Sequence, residues 1–456
     1  MATDTTSTLA DFCSDFNFRT LPGTVVECAK KIVMDTLGAV LAASSTHYSG
    51  SGIITEFARA QGENPEATII GRDFGTSCIN AALTNSTLAY YCDVEPHHTE
   101  SIMHAPAVVV PSALAVGEKE GCNGRSFLAA VILGIDIACR VSIALNPVAL
   151  YERGFHPSSV AGCFGAAAAA GNIMKLDSRQ FINAIGLTST QASGLLAWSS
   201  DNTENSRPFN PGIAARNGVT ATLLSKMGFG GPLGVFDREM NYNVFRAFSQ
   251  NDNSTALTDQ LGEHFYIDKL AIKLYSCCAF LHPGLDGLLD IMEKHGLAAE
   301  DIAGITLRFP KSGAAIIDNN PLKSHCAQYI LPVATVSKQV VIDDVLLDRR
   351  TESAIARLCQ QTRLLYDEEL DKVYPEQYAS IVELALKNGE IHSQRVDWPK
   401  GHPNNPLTQA ELVAKFHKLT SPVINSERTA EIIAMVNHLE EVANISELTE
   451  LLQVKS

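Results

Sequence analysis

A short segment of the chain brings carboxylates and histidines together at a spacing that suits proton transfer. Residues 93–104, DVEPHHTESIMH, contain Asp93, His97, His98 and His104. Histidine titrates near neutral pH and can therefore give or take a proton, and a nearby carboxylate can orient its ring. The apolar run APAVVVPSALAV that follows predicts a buried helix, which would hold the end of this segment against the core.

Three other polar clusters also precede apolar sequence rich in small residues. They are His156 and Ser158 within residues 151–162, Arg207 within residues 199–218, and Lys273, Tyr275 and His282 within residues 272–288. Arginine and lysine bind carboxylates, and a helix N-terminus favours an anion. If the four clusters converge, they form a pocket for a small di- or polycarboxylate in which histidine and lysine can move protons.

Each cluster taken alone also has a plainer structural explanation. His156 can cap or pack at a helix start, and Arg207 can be a surface residue. Lys273, between two apolar residues, fits an amphipathic strand, and His97 and His98 fit a solvated loop. Because the sequence does not show that these residues meet, a non-catalytic anion-binding protein stays open as one of the functions.

The composition predicts a well-packed protein that binds neither nucleic acid nor a membrane. Of the 456 residues, 46% are hydrophobic and 19% are charged, which permits a large core. The formal net charge of -15 argues against nucleic acid, since binding to phosphates needs basic surfaces. We expect that no apolar run reaches the roughly 18 to 20 residues of a membrane helix.

Cysteine usage and short motifs narrow the location and the chemistry. Eleven scattered cysteines without a C-x-x-C pair favour buried, reduced thiols, and the opening MATDTTSTLADFC lacks the features of a secretory signal. We therefore expect a cytoplasmic protein. The sequence has no H-E-x-x-H pattern and no phosphate-binding or nucleophile-elbow motif. We expect neither a metal nor a cofactor.

The pattern of apolar residues predicts a mainly α fold made of two parts. Helical spacing predicts a tightly packed all-helical core from residues 25–45, 77–93, 105–121, 125–145, 157–176, 178–196 and 213–229. Period-two alternation predicts strands at 304–318 and 379–401, with helices between them at 335–348 and 351–362. We therefore predict a large helical domain, residues 1–268 and 403–456, with a smaller α+β lid domain at residues 269–402.

Several of these segments resemble one known protein family over nearly the whole chain. The segments RGFHPSSVAGCFGAAAAAG, NPGIAARNG, IKLYSCCAFLHPGLDGL and VDWPKGHPNNPLTQAELVAKF resemble the MmgE/PrpD family. This family includes 2-methylcitrate dehydratase, cis-aconitate decarboxylase and iminodisuccinate epimerase. The resemblance implies a cofactor-free homodimer, with a helical domain built from both ends of the chain and a smaller α+β lid.

The resemblance also implies which residues act in catalysis. The family pattern falls on Asp93, His104, His156 and Lys273, with Asp93 orienting a histidine. We assign substrate binding to five further polar residues of the four clusters, which are Arg207, Ser158, Tyr275, His282 and His97.

Two departures from the family pattern bear on the reaction. Dehydratases and decarboxylases of the family typically have lysine where this chain has Arg207 and tyrosine where it has Val333. Arginine stays protonated and is a poor proton donor, and valine donates nothing. We therefore predict an epimerase that moves the α-proton of a substrate such as iminodisuccinate, with Lys273 opposed to His104 or His156. A family lyase, either cis-aconitate decarboxylase or a methylcitrate-type dehydratase, is the alternative.

Overall fold

A computed structural model describes residues 4–45, 47–62 and 64–454. Residues 1–3, 46, 63, 455 and 456 lie outside the described residues. They include both ends of the predicted helical domain. Helices make up 58% of the structure, which confirms the predicted mainly α fold.

The secondary structure comprises 21 described α-helices and eight described strands. The helices are α1 Thr5–Asp15, α2 Gly23–Ala43, α3 Ser49–Ala60, α4 Cys78–Tyr91, α5 Ala105–Glu120, α6 Gly124–Ala144, α7 Pro147–Glu152, α8 Pro157–Val160, α9 Gly162–Ile173, α10 Ser178–Ser189, α11 Ser206–Lys226, α12 Val244–Phe248, α13 His282–Lys294, α14 Lys311–Ile317, α15 Ala327–Ser337, α16 Ile342–Leu346, α17 Ser353–Gln360, α18 Glu368–Asp371, α19 Gln409–Thr420, α20 Ser426–Asn437 and α21 Ser446–Leu452. The strands are β1 Ala67–Thr68, β2 Gly75–Thr76, β3 His97–His98, β4 Leu270–Ala271, β5 Ile302–Phe309, β6 Thr362–Tyr366, β7 Ser380–Leu386 and β8 Ile391–Val396.

The centre of the helical part is formed by α4, α5, α6, α9 and α11, which pack on one another. Their small residues let helix axes approach closely, as at the crossing of α6 and α9, where Gly134 and Gly165 face each other. Helix α6 is long and apolar enough to cross a membrane, but 94% of its most apolar window is buried in the protein. We therefore interpret α6 as a core helix.

Adding a methyl group at the α6–α9 crossing is expected to destabilise the fold. In Gly165→Ala the new Cβ would lie 2.5 Å from the Gly134 carbonyl oxygen and 2.7 Å from Ala138 Cβ. Such overpacking typically lowers the free energy of unfolding by about 1–3 kcal/mol. Urea unfolding checks this, with Gly52→Ala in α3 as the matched control, since nothing lies within 4 Å of its added Cβ. Equal effects of the two changes would contradict close packing at the crossing.

Buried apolar side chains fall into two clusters. One draws on residues 9–270 and 412–452, and the other on residues 277–386 together with Ile102. This division supports the predicted domain limits near residues 269 and 402, which stay predictions.

The second cluster packs around a four-stranded sheet with the order β6-β5-β7-β8. Strands β5 and β6 are parallel, and the other two pairs are antiparallel. The hairpin predicted at residues 379–401 is present as β7 and β8, which turn at Gly389 with a positive φ of 93°. The strand predicted at 304–318 is wrong in its second half, because Pro310 ends β5 and begins α14.

Two other predicted segments need correction. The helix predicted at 335–348 is interrupted, because Lys338 adopts a left-handed conformation and separates α15 from α16. The helix predicted at 157–176 is divided at Ala161 into the single turn α8 and the longer α9. The divided helix means that His156 precedes only one helical turn.

Candidate active site

A short strand pair joins the two distant polar segments of the sequence. Strand β3 pairs with β4 in antiparallel register, with His97 opposite Ala271 and His98 opposite Leu270. Asp93 lies just after α4 with a left-handed φ of 56°, which turns the chain towards this pair. As a result, Lys273, two residues beyond β4, reaches the 93–95 segment.

The centre of the site is a buried cluster of charges around Asp93. The Lys273 ammonium donates to Asp93 Oδ1, and Arg207 Nη1 lies 3.8 Å from the same oxygen. The three side chains are each at most 2% exposed. Burial alone would raise the pKa of Asp93, but the charges of Lys273 and Arg207 hold it well below its usual value. Asp93 is therefore a fixed anion between two cations.

A second carboxylate links this cluster to a histidine. Glu95 Oε1 lies 3.3 Å from Lys273 Nζ and 2.7 Å from His104 Nδ1. Burial, reinforced by Asp93, raises the pKa of Glu95 to about 7, whereas burial and Lys273 lower the pKa of His104. The Glu95–His104 contact has ion-pair distance without good hydrogen-bond geometry. Near neutral pH the proton of this pair is therefore held by Glu95 rather than by His104.

Three more histidines surround the same space. His97 stacks on Tyr378 with a ring separation of 5.9 Å, while His156 and His325 contact Trp198 at 5.6 and 5.2 Å. Burial lowers the pKa values of all three histidines, to about 3 for His156 and His325. The rings are therefore neutral when no ligand charge is near them. A bound polycarboxylate would raise these pKa values, because its negative charge favours the imidazolium form.

The site contains an unusual concentration of polar atoms without partners. Among the described residues, sixteen buried side-chain nitrogen and oxygen atoms lack a hydrogen-bond partner, and eight of them lie here. The eight are Asp93 Oδ2, Glu95 Oε2, His97 Nδ1, His104 Nδ1, His156 Nδ1, Trp198 Nε1, Arg207 Nε and Arg207 Nη1. Leaving such atoms unpaired is unfavourable, so their clustering indicates a binding site for a polar ligand.

Four of these atoms, on Asp93, His97, His104 and Trp198, belong to residues that line a small cavity between the two apolar clusters. Its walls include Tyr90, Asp93, His104 and His325 from the polar cluster and Phe280 from the lid part. The enclosed volume is about 20 Å³, which is room for about one water molecule. A polycarboxylate can therefore enter only when the walls move apart.

The structure brings most of the predicted catalytic and binding residues together. Asp93, His97 and His104 line the cavity directly. Arg207 and Lys273 lie one side chain behind it, since Arg207 covers the Tyr90 ring at 4.7 Å and Lys273 contacts Asp93. His156 lies beside the cavity wall, 3.4 Å from the Tyr90 hydroxyl through its Nε2.

Three predicted binding residues contact protein groups instead. Ser158 Oγ accepts a hydrogen bond of 3.0 Å from the His104 backbone N–H, which positions the start of α5. The Tyr275 hydroxyl donates to Asp286 at 2.7 Å, and the His282 ring packs on Tyr275. Their roles in substrate binding stay predictions.

Three of the plainer structural explanations do not fit the structure. The loop placed around Arg207 is the first turn of α11, and the side chain is buried. His97 and His98 are buried rather than solvated. Lys273 is fully buried instead of lying on an amphipathic strand. Val333, the position at which family members typically have tyrosine, lies in α15 within the second apolar cluster, and its bearing on the reaction stays a prediction.

Several site residues were missed by the sequence analysis. Glu95 lay within the segment that was singled out, and its spacing from His104 could have drawn attention to it. His325 and Glu204 stand in segments with no strong pattern, KSHC and NTENS. Only the folded arrangement places these two near Asp93 and Arg207.

Acidification is expected to destabilise the protein. Burial lowers the pKa of His98, His156, His282 and His325 to about 3. Between roughly pH 6.5 and 3 the unfolded chain binds more protons at these positions than the folded protein does. Each histidine therefore lowers the free energy of unfolding by about 1.4 kcal/mol for every unit by which the pH falls. Glu95, with its pKa raised to about 7, acts oppositely, since its contribution is present below its unfolded pKa and is lost as the pH rises through 7.

The four histidines outweigh Glu95 in this balance, and they still do so when Asp286, whose pKa burial raises to about 6, is counted with it. Urea unfolding at pH 7 and pH 5.5 checks the sign. A free energy of unfolding that is constant or larger at the lower pH would contradict buried, neutral histidines.

Comparison with known proteins identifies the family. Residues 7–256 match the MmgE/PrpD N-terminal domain, and residues 275–441 match the MmgE/PrpD C-terminal domain. The chain therefore belongs to the MmgE/PrpD family.

Full-length relatives of the chain carry one recurring name. A cis-aconitate decarboxylase-like protein of Aspergillus oryzae is 28% identical, with 98% of this chain and 97% of the relative covered. Cis-aconitate decarboxylase of Aspergillus terreus is 24% identical over 98% of this chain and 95% of its own. The Homo sapiens enzyme of that name is 25% identical over 94% and 90%. These relatives are lyases, so they favour the lyase alternative over the epimerase that the sequence analysis put first.

Proposed function

We propose that the protein is a lyase that decarboxylates an unsaturated tricarboxylate of the cis-aconitate type, without a metal or an organic cofactor. The observation that carries this proposal is the group of eight buried polar atoms without a hydrogen-bond partner in and next to the walls of a small cavity, with Lys273 and Arg207 behind those walls. The names of the relatives support the substrate class. The epimerase prediction has no support from them.

The reaction requires one proton to reach carbon. When cis-aconitate loses carbon dioxide from its CH2-linked carboxylate, the bonding electrons form a new double bond to that CH2 carbon. The electron pair of the original double bond then takes a proton at the alkene carbon that is not bonded to the CH2 carbon. A donor beside the alkene and cations near the carboxylates therefore suffice in principle.

His104 is the proposed proton donor. Its ring lines the cavity and contacts Glu95, which can hold a proton near neutral pH. Substrate carboxylates raise the pKa of His104, so the ring becomes an imidazolium when the site is filled. Lys273 and Arg207 balance Asp93 and make the cavity less negative.

The test is a product analysis in deuterated water. Chelator-treated protein is incubated with cis-aconitate or with iminodisuccinate stereoisomers, and each mixture is followed by NMR. We expect carbon dioxide release and one deuterium in a five-carbon product from cis-aconitate. Interconversion of the iminodisuccinate isomers with α-deuterium would favour the epimerase instead, and binding without turnover would favour an anion-binding protein.

Two variants connect the reaction with the site. His104→Gln should lower turnover strongly, because it removes the proposed donor. His438→Gln changes a histidine that is 69% exposed, and it should leave turnover unchanged. Equal turnover in both variants would remove His104 from the mechanism.

A further inference from the structure

A hydrogen-bonded chain crosses from the helical part to the lid part at one wall of the cavity. Ser324 Oγ donates to the Glu204 carboxylate, with distances of 3.1 and 3.0 Å to its two oxygens. The same Oγ lies 2.8 Å from His325 Nδ1. Glu204 comes from the segment before α11, and Ser324 and His325 come from the 3-10 turn Lys323–His325.

All three groups of this chain are held in place. Glu204 is 2% exposed, Ser324 is fully buried and His325 is 5% exposed. Glu204 has a left-handed φ of 59°, an unfavourable conformation for a side chain of this size that needs support from its surroundings. Ser324 is fixed further by its carbonyl, which accepts from the Cys278 N–H at 2.9 Å. A strained backbone and a doubly held serine indicate that the contact has a function.

The direction of the hydrogen bonds determines the tautomer of His325. Burial raises the pKa of Glu204, whereas Arg207 Nε at 3.6 Å and the N–H and hydroxyl of Ser324 favour the ionised carboxylate. An ionised Glu204 only accepts hydrogen bonds. The single Ser324 hydroxyl proton is therefore directed to Glu204. Ser324 Oγ must then accept from His325, so the ring carries its proton on Nδ1 and has a lone pair on Nε2.

We propose that Glu204 and Ser324 fix His325 as the Nδ1–H tautomer, so that its Nε2 accepts a proton when a polycarboxylate enters the cavity. The proton comes from solvent or from the ligand and adds to the Nε2 lone pair. Charge on the resulting imidazolium is stabilised through Ser324 by Glu204 and by Asp93, whose Oδ2 lies 3.8 Å from Nδ1. His325 thereby becomes a cation that faces the ligand.

His325 in this role adds a proton acceptor to the proposed lyase site. The inference depends on the proposed lyase function only for the identity of the ligand. The Asp93 carboxylate lines the cavity and Glu95 lies behind His104, so an incoming polyanion needs compensating positive charge. Lys273 and Arg207 are already close to Asp93. A neutral ring at the wall that can take up a proton supplies the additional charge.

The tautomer can be measured without substrate. Protein with 15N-labelled histidine is studied by two-bond 1H–15N NMR at pH 7.5, and the His325 signals are assigned with His325→Asn. We expect a protonated Nδ1 in the wild type. In Glu204→Gln the amide can donate to Ser324 Oγ, which frees the hydroxyl proton for Nδ1, so the Nε2–H tautomer should increase.

Two serine variants provide the matched comparison. Ser324→Ala should give a mixture of His325 tautomers, whereas Ser312→Ala, at an exposed serine, should leave the Nδ1–H form unchanged. A wild-type ring protonated on Nε2 would overturn the proposal. A tautomer unaffected by Ser324→Ala and by Glu204→Gln would also overturn it.

The second measurement uses propane-1,2,3-tricarboxylate, a saturated tricarboxylate that cannot react by the proposed route. Its binding should move the His325 Nε2 signal to the protonated position, and Ser324→Ala should weaken binding by about 10- to 100-fold. Binding that leaves the Nε2 signal unchanged would contradict proton uptake by His325. If the tricarboxylate does not bind at all, the substrate class proposed above fails, and the tautomer in the empty protein still decides whether Glu204 and Ser324 orient the ring.

Discussion

Lys273→Met is expected to lower turnover by at least about 100-fold, a loss typical of removing one charge-stabilising group from an active site. The ammonium group is fully buried and contacts Asp93 and Glu95. Methionine keeps much of the side-chain volume but has no charge, so Asp93 and Glu95 would lie close together without the Lys273 ammonium between them. The pKa of Asp93 should then rise, since Lys273 is the largest influence that lowers it.

The same change is expected to lower the free energy of unfolding by about 3–5 kcal/mol, because it breaks a buried ion pair from one side. Turnover of cis-aconitate and urea unfolding are measured in parallel. Lys269→Met, at a side chain that is 51% exposed, is the matched control and should change neither quantity appreciably. A Lys273→Met protein with normal stability and turnover would show that the ammonium group is not part of the site.

The sequence predicted the long buried helices well because their apolar pattern is strong. The start of α11 was wrong, since Pro211 and Gly212 resemble loop residues. In the structure the Ser86 hydroxyl donates to the Pro211 carbonyl, and Gly212 allows α11 to approach Thr87 on α4. These contacts are between residues distant in sequence, so local preference could not reveal them.

The candidate site shows the same limit. Asp93, His97 and His104 stand within one segment, and their chemistry was evident from spacing alone. Lys273 joins them because β3 pairs with β4, a contact between segments more than 160 residues apart in the sequence. His325 has no such local signal.

Helix α19, the first helix of the C-terminal part of the helical domain, reaches the back of this site through one lysine. Lys415 Nζ lies 2.6 Å from Asp35 Oδ1 and donates to the Val94 carbonyl at 2.8 Å. The side chains of Lys415 and Asp35 are 8% and 1% exposed. Val94 lies between Asp93 and Glu95, so this lysine positions the backbone that carries both carboxyl groups.

Lys415→Met is expected to lower the free energy of unfolding by about 3–5 kcal/mol, because Asp35 is left as an unpaired buried charge. The double variant Asp35→Leu/Lys415→Met should recover most of that stability, since apolar residues often replace a buried ion pair without loss. Turnover should stay low in the double variant, because the Val94 carbonyl still lacks its donor. Urea unfolding and turnover are compared with Lys418→Met, an exposed lysine on the same helix.

The separation between stability and turnover is the informative outcome. If Lys415 contributed only to stability, the double variant would recover both quantities together. Recovered stability with turnover still reduced would mean that the lysine also fixes the geometry of residues 93–95. Full turnover in the double variant would contradict that positioning role, and helix α19 would then act only as packing for the helical core.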